Sequence, residues 1–486
     1  MKSISEAIQK LGVNSLAILT SDVVTRASTL LVYVLVGRYG GDQDFGQLSL
    51  GMMLLYTFHV FAVAGLPTLL VRHVAPRPRI ARRDLIHGYV AALIPAGLSL
   101  VSMIAFAIVM NYSAATTLVI LLMAVALVPY AVAMISESVI RGCQKMPWIL
   151  VGNVPGSLVL VGGCIWAIYT GASVVTMTSI VVVSRFVTAF SMHTCCMHVT
   201  RESKLGRFRF RYAWLMLKKS LIFLWTDGIL AISASLNSVL LSKFEGEREV
   251  GWLAACFQLL QPMLMIYRAV ANSCFPMLVQ RMHQRQGESF GEICRTLIML
   301  LLRLAVPVVA ILFFLAGDIL VLVYRKEEFR AAVPLLQVLA FTLLLDLLSP
   351  VIGQSLWAAS KDRIVLCIVV VNFVISSTLS ALLIWQYGIM GAAWAILLSS
   401  VVNMVQHYAY FELSIGKLGL WRELLRFVPV VLLPAACFML PLNIYITLAI
   451  ALCLYFGLSL WTLRPLVAGL ALGRVIEPKS EQGVSL

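Results

Sequence analysis

Fourteen runs of about 18 to 25 mainly apolar residues follow one another along this chain, each long enough as a helix to cross about 30 Å of hydrocarbon. They fall near 15–37, 47–71, 85–110, 114–140, 148–169 and 173–199, then near 215–242, 250–273, 295–317, 332–357, 364–386, 389–412, 424–441 and 443–463. In lipid the backbone must satisfy its own polar groups, so runs of this kind fold as helices. With 61% hydrophobic and 12% charged residues over 486 positions, the chain is too apolar for a soluble globular domain. The fold class expected is an all-α polytopic membrane protein.

The basic residues set the expected orientation. Arg72, Arg77, Arg79, Arg82 and Arg83 follow the second run, and Arg201, Lys204, Arg207, Arg209, Arg211, Lys218 and Lys219 follow the sixth. The intervening links Asn111-Tyr112-Ser113, Thr170-Gly171-Ala172 and Tyr387-Gly388-Ile389 hold no basic residue. By the positive-inside rule both termini are expected in the cytoplasm. The net charge of +15 then reflects that asymmetry and contact with an anionic leaflet, and nucleic acid is not an expected partner. No short apolar stretch with a small-residue cleavage site precedes the first run, so that run is the expected insertion signal. Ile4, Ile8 and Leu11 share one helical face, which predicts a surface-lying helix over 1–14. The ten cysteines show no metal-ligand spacing and read as small apolar packing residues.

The chain also echoes itself. At a shift of 205 residues, Leu19-Thr20-Ser21-Asp22 meets Leu224-Trp225-Thr226-Asp227, and Asp44-Phe45-Gly46 meets Glu249-Val250-Gly251. Near a shift of 217, the segment from Ile165 to Gly171 falls beside Leu382 to Gly388. A six-helix repeat enters the membrane in the same direction twice, which predicts two lobes related by an axis along the membrane normal, with substrate between them. The expected organisation is a cytoplasmic N-terminus (1–14), an N-lobe (15–199), a basic linker (200–214), a C-lobe (215–412), two further helices (413–463) and a cytoplasmic tail (464–486).

Charges inside the apolar runs mark the candidate site, because each costs roughly 2.5–3.5 kcal/mol on insertion scales and so faces protein or water. Four are arginines: Arg26, Arg185, Arg268 and Arg303. Asp22, Asp227 and Asp346 are candidates for setting the arginines or for coupling an ion gradient. Polar stripes at helical spacing run through Asp22, Arg26, Thr29 and Tyr33, and through Gln258, Gln261, Met265, Arg268 and Asn272. Two more run through Thr342, Asp346, Ser349 and Gly353, and through Ser400, Asn403, His407 and Tyr410. Each has a plainer reading. Asp22 with Arg26, and Glu137 with Arg141, are four apart and could neutralise one another as helical pairs. Arg303 lies among Leu300, Leu304, Val306 and Pro307, where it could snorkel or brace packing. His59, His193 and His407 read as buried polar packing residues more readily than as proton carriers. The planar fork of arginine suits phosphate or pyrophosphate.

No Gly-x-x-x-x-Gly-Lys-Ser/Thr loop and no nucleophile with a base are present, so neither an ATP-binding cassette nor an enzyme is expected. Asp42-Gln43-Asp44 has the look of a glycosyltransferase metal motif, but it falls in a short link between runs without a nucleotide-sugar domain.

Gly37-Arg38-Tyr39, Asp44-Phe45-Gly46, Gly65-Leu66 and Arg72-His73-Val74-Ala75 together resemble the opening of polysaccharide-transporter proteins. So do Phe329-Arg330-Ala331-Ala332, the run Gln354-Ser355-Leu356-Trp357-Ala358-Ala359, Asn372, and Tyr387-Gly388-Ile389-Met390-Gly391-Ala392-Ala393. The resemblance, over about residues 10–415, is to the multidrug/oligosaccharidyl-lipid/polysaccharide flippase superfamily. It implies two six-helix lobes forming a V, and alternating access that moves an undecaprenyl-pyrophosphate-linked oligosaccharide to the outer leaflet of a bacterial inner membrane. It implies Arg26 and Arg268 as first pyrophosphate contacts, then Arg185 and Arg303, with Gln258, Gln261, Asn272 and Asn403 lining the cavity. The last two helices would line a lipid-tail groove, as in lipid II flippases of the same superfamily. Expected partners are the lipid-linked oligosaccharide, membrane lipids, and polysaccharide polymerase and chain-length proteins. No cofactor or metal is implied; a proton or sodium gradient or the membrane potential would drive transport. A cation-coupled multidrug exporter of the same fold and a non-transporting scaffold of a glycan assembly are the competing readings.

Overall fold

The structure is a computed structural model, described here for residues 2–283, 287–359, 361–439 and 443–471. Those residues form α1 (Lys2–Val63), α2 (Leu66–Val74), α3 (Ala81–Val109), α4 (Ala114–Val125), α5 (Leu127–Gly142), α6 (Pro147–Tyr169), α7 (Val174–Val199) and α8 (Phe210–Phe244). There follow α9 (Glu247–His283), α10 (Gly287–Phe314), α11 (Ala316–Tyr324), α12 (Val333–Ala340), α13 (Thr342–Asp346), α14 (Leu348–Ala358), α15 (Asp362–Ser414), α16 (Leu420–Ala435) and α17 (Ile444–Ala471). The expected all-α membrane fold is what forms.

Length and composition mark ten membrane spans among the described residues, against the fourteen expected. Two of the ten, Leu16–Val63 with 48 residues and Arg363–Ser414 with 52, are kinked and long enough to cross twice. The segments expected at 215–242, in α8, and at 424–441, which begins in α16 and ends outside the described residues, are not among the ten. The kinks correct one expectation. Around Asp42 and Gly388 the sequence reads as links, yet the chain turns at a single glycine, Gly41 (φ 86°, ψ −175°) and Gly388 (φ 56°, ψ −134°). A residue with a Cβ is strained at such positive φ, so glycine lets the helix kink there without a loop. Elsewhere the short links behave as read. Asn111 and Gly171 take left-handed conformations after α3 and α6, and Ser113 Oγ caps α4 by accepting from Thr116 N–H at 3.3 Å.

Contacts divide the chain into two compact units. The first holds Met1–Ala255, Leu320–Ala332 and Ser380–Ala392; the second holds Cys256–Ile319, Val333–Leu379 and Ala393–Leu486. In the first, α6 and α7 pack through small residues. Gly152 lies against Met192, Gly156 against the Ser184 carbonyl and Thr188, and Gly163 against Ile180. Without a hydrophobic drive between helices in lipid, such close backbone approach supplies the attraction. In the second unit α16 and α17 pack on each other and on α10, and the Tyr455 hydroxyl donates to the Arg303 carbonyl at 2.9 Å.

The internal echo has a physical counterpart inside the first unit. Gly46 and Gly251, equivalent under the shift of 205, touch: a Cβ built on Gly251 would lie 3.1 Å from Gly46 N and 2.5 Å from the Asp42 carbonyl oxygen. Reciprocally, a Cβ on Gly46 would overlap the carbonyl of Glu247, the residue equivalent to Asp42. Residue meeting equivalent residue in both directions is the signature of a local two-fold. Overpacking a site of this kind costs about 1–3 kcal/mol, so Gly46→Ala and Gly251→Ala should each lower the melting temperature of the purified protein. Gly162→Ala, where a Cβ would meet nothing within 4 Å, should leave it unchanged or slightly raised.

Candidate functional site

Three constellations carry the intramembrane polar chemistry. The first, in the first unit, is built round Arg185 on α7. Its Nη2 donates to the Tyr56 hydroxyl at 3.1 Å, and its guanidinium lies 5.3 Å from the centre of the Tyr130 ring and 6.0 Å from that of Tyr56. His59 packs on Tyr130 at 4.6 Å, and Tyr33 also lies within electrostatic reach of the guanidinium. No carboxylate pairs with Arg185 among the described residues, and its Nε is buried without a partner. Phenol oxygens and ring faces therefore stabilise this charge, which leaves donor capacity for an anionic ligand.

Arg26 and Asp22, on α1, are both exposed. The helical pair that their spacing allows does not form: neither has an ion-pair partner among the described residues. Glu137 and Arg141 do form theirs, at 2.5 Å.

The second constellation lies in the second unit, where two of the expected stripes meet. Ser400 donates to Asp346. One turn on, Asn403 Nδ2 donates to Ser349 Oγ at 2.7 Å. One turn further, a Cβ on Gly353 would lie 3.7 Å from His407 Nε2. The rungs 346–400, 349–403 and 353–407 hold α13 and α14 against the second arm of α15, so these stripes face protein. Arg268 on α9 is exposed and within electrostatic reach of Asp346. Tyr267, beside it, is fully buried and donates to the Leu343 carbonyl at 2.9 Å, which fixes where Arg268 starts. Gln258 and Gln261 on the same helix are half-buried, and Asp227 on α8 is exposed. The side chain of Asn272 lies outside the described residues.

Arg303, expected with the other arginines at phosphate, has different surroundings. It is 8% exposed, its guanidinium sits 5.3 Å from the Phe427 ring, and its Nη2 approaches Thr462 Oγ1 at 3.5 Å. Those neighbours belong to α16 and α17, so Arg303 braces the C-terminal pair against α10, the plainer of its two readings.

The third constellation, again in the first unit, sits where acidic residues gather round the Gly41 kink. Arg248 pairs with Asp42, the Asp42 N–H points to Glu328 Oε2 at 3.4 Å, and Arg38 Nε donates to the Val323 carbonyl at 2.6 Å. Beneath them Phe45, fully buried, packs on Tyr33, Tyr324 and Phe329 with ring centres 5.4 to 5.6 Å apart. Asp42 is thus an ion-pair and packing residue. The sequence reading missed Tyr56 and Tyr130, and it missed Arg248. A tyrosine is unremarkable in an apolar run, and a partner more than 200 residues away leaves no local signal.

Comparison with known proteins gives this geometry a family. The profile described as polysaccharide biosynthesis protein matches residues 11–282, and the profile of the lipid II flippase MurJ matches residues 163–461. The chain belongs to the polysaccharide-flippase branch of the multidrug/oligosaccharidyl-lipid/polysaccharide flippase superfamily. Within it, the chain is 24% identical over 296 residues to the probable low-salt glycan biosynthesis flippase Agl15 of Haloferax volcanii, a match spanning 60% of each chain. The chain therefore spans less than two thirds of that relative. In fold it is similar to the lipid II flippase MurJ in an inward closed conformation, with a TM-score of 0.73, 14% identity, and 94% of this chain and 99% of that one covered. An inward-facing multidrug resistance MATE transporter gives 0.65 at 14% identity, covering 81% and 95%.

The Arg185 cage has a direct test. A hydrogen bond to a charged donor contributes about 1.5–3 kcal/mol, so Tyr56→Phe should destabilise the protein by an amount in that range in denaturant titrations followed in detergent. Tyr130→Phe, which keeps the ring under the guanidinium, should cost far less.

Proposed function

We propose that this protein is a flippase for a polyprenyl-pyrophosphate-linked oligosaccharide, moving one repeat unit from the cytoplasmic to the outer leaflet by alternating access for surface polysaccharide assembly. The observation that carries the reading is cationic charge in spans without acidic compensation. Among the described residues Arg26 is exposed without an ion pair, and Arg185 is held by tyrosines and keeps a buried Nε with no acceptor. A pyrophosphate supplies the oxygens that such donors lack.

In this reading Arg26 and Arg268 take the pyrophosphate first, with Arg185 next. Arg303 serves packing. Asp346, bound to Ser400 and within electrostatic reach of Arg268, is the carboxylate placed to set that arginine or to couple an ion gradient, and Asp22 and Asp227 are further groups for the same two roles. Gln258, Gln261 and Asn272 offer hydrogen bonds to sugar hydroxyls, whereas Asn403, expected with them, is engaged with Ser349. The lobes are 15–199 and 215–412, in a bacterial inner membrane with both termini in the cytoplasm, where polymerase and chain-length proteins would receive the product. Membership of the family supports the activity; the substrate and the direction rest on the charges. The third constellation supports the cycle: its ion pair, carbonyl contacts and aromatic plug join links from both repeats at one end of the spans, which is where alternating access needs a closure.

Arg26→Ala and Arg268→Ala should each abolish glycan export in cells while the protein remains in the membrane at normal level, as read by surface polysaccharide and immunoblot. Normal export by both variants would defeat the assignment. Efflux of cationic drugs that depends on Asp22, without glycan transfer in liposomes, would establish the multidrug exporter instead.

A further inference from the structure

Residues 201–219 hold seven Lys or Arg against one acid, Glu202, and all seven basic side chains are exposed. This strip is fixed in place. Lys204 N–H donates to the Arg79 carbonyl at 2.8 Å, Ser203 Oγ donates to the Pro78 carbonyl at 3.0 Å, and Arg209 N–H donates to His87 Nε2 at 3.1 Å. Accepting there leaves His87 Nδ1 to donate to the Arg83 carbonyl, 2.7 Å away. The Tyr212 hydroxyl donates to Asp84 Oδ1 at 3.2 Å, and Arg83 grips the same oxygen at 3.1 Å. Asp84 is fully buried, so its charge is used beneath the strip and does not neutralise the surface.

The outward side carries rings as well as cations. Phe208 is 52% exposed, Phe210 60% and Trp214 41%. Lys218 stands 5.6 Å over the Trp214 ring, and Arg72 stands 4.9 Å over Phe223. Charge asymmetry between the two ends of the spans accounts for basic residues in this region. It does not account for their being interleaved with exposed aromatic rings on a backbone pinned at three points. At a bilayer interface the two types belong together, rings at headgroup depth and cations at the phosphates. A nucleic acid or an acidic protein would answer the charge but would leave the rings, which adjoin apolar spans, without an apolar phase.

We propose that the strip 201–219, with the flanking Arg77 to Arg79 turn, is a binding surface for the anionic phospholipid headgroups of the adjoining leaflet. The interaction is with bulk membrane lipid and is independent of what the protein transports.

The test uses the full-length protein in phosphatidylcholine bilayers containing trace spin-labelled phosphatidylglycerol or spin-labelled phosphatidylcholine, with the motionally restricted fraction read by electron paramagnetic resonance. The wild type should prefer phosphatidylglycerol by about threefold or more. Combined Arg207→Gln, Arg209→Gln and Arg211→Gln should remove at least half of that preference, and lysine at the same three positions should retain it. Arg325→Gln with Arg330→Gln, equal in kind but in the link between α11 and α12, should not change it. Should the glutamine variant fail to fold, added salt decides the matter on the wild type, because screening must reduce a headgroup preference made by exposed charges. Equal association of the two lipids with the wild type, a preference untouched by the glutamines in a folded variant, or insensitivity to salt would each overturn the proposal.

Discussion

The reciprocal contact of Gly46 and Gly251 is the constraint on which much of the first unit depends. Each glycine meets the carbonyl of the residue four positions before the other, Glu247 in one case and Asp42 in the other. The approach is close enough that no side chain fits on either. An acidic residue four positions before a glycine occurs in both segments, so one short pattern builds both sides of this contact. The Gly41 kink directs Asp42 toward Arg248 and Glu328, and it lets α1 continue as a second arm that places Tyr56 beneath Arg185.

Two cationic centres in the spans are handled by different physics. Arg268 has a carboxylate within electrostatic reach, and Asp346 in turn is tied by Ser400 into the ladder between α14 and α15. Among the described residues Arg185 has phenols and ring faces and no carboxylate partner. In a medium of low dielectric a carboxylate partner lowers the charge available to a ligand, whereas aromatic faces and neutral hydroxyls leave the net charge at +1. The Arg185 environment thus keeps an attraction for anions that a full ion pair would have cancelled. Arg303 shows a third solution, burial against Phe427 with carbonyl and hydroxyl acceptors at 3.5 Å, which suits a brace.

Much of this was legible in the amino-acid order, for identifiable reasons. Apolar runs are a one-dimensional signal, so the helical membrane fold could be read directly. The stripes of α13 to α15 were legible as stripes because helical spacing is local; that 346 would meet 400 and 349 would meet 403 was not, since pairing between segments 54 residues apart depends on three-dimensional register. The local echo at Gly46 and Gly251 could be read because equivalent residues keep their order. The tyrosine cage was hidden for the opposite reason: Tyr56, Tyr130 and Arg185 lie on three helices, and none departs from what an apolar helix tolerates. Asp22 and Arg26 show the limit of the same locality, since a spacing of four permits a pair but does not compel one.

For the proposed cycle, the closure around Asp42 must be firm enough to seal and weak enough to open. Its composition meets both needs. The ion pair is peripheral: the Arg248 side chain is 53% exposed, so water competes for it and its net contribution is small. The Arg38 contacts go to carbonyls at the end of α11, groups that water can satisfy equally well when the contact parts. Tightness comes instead from shape, the glycine approach and the buried Phe45 among Tyr33, Tyr324 and Phe329. Packing of that kind is bistable, since a ring is either seated or withdrawn and gains little between the two. A seal held by deep ion pairs would leave unpaired charges in hydrocarbon on opening. One held by rings and hydrated surface bonds can part at modest cost.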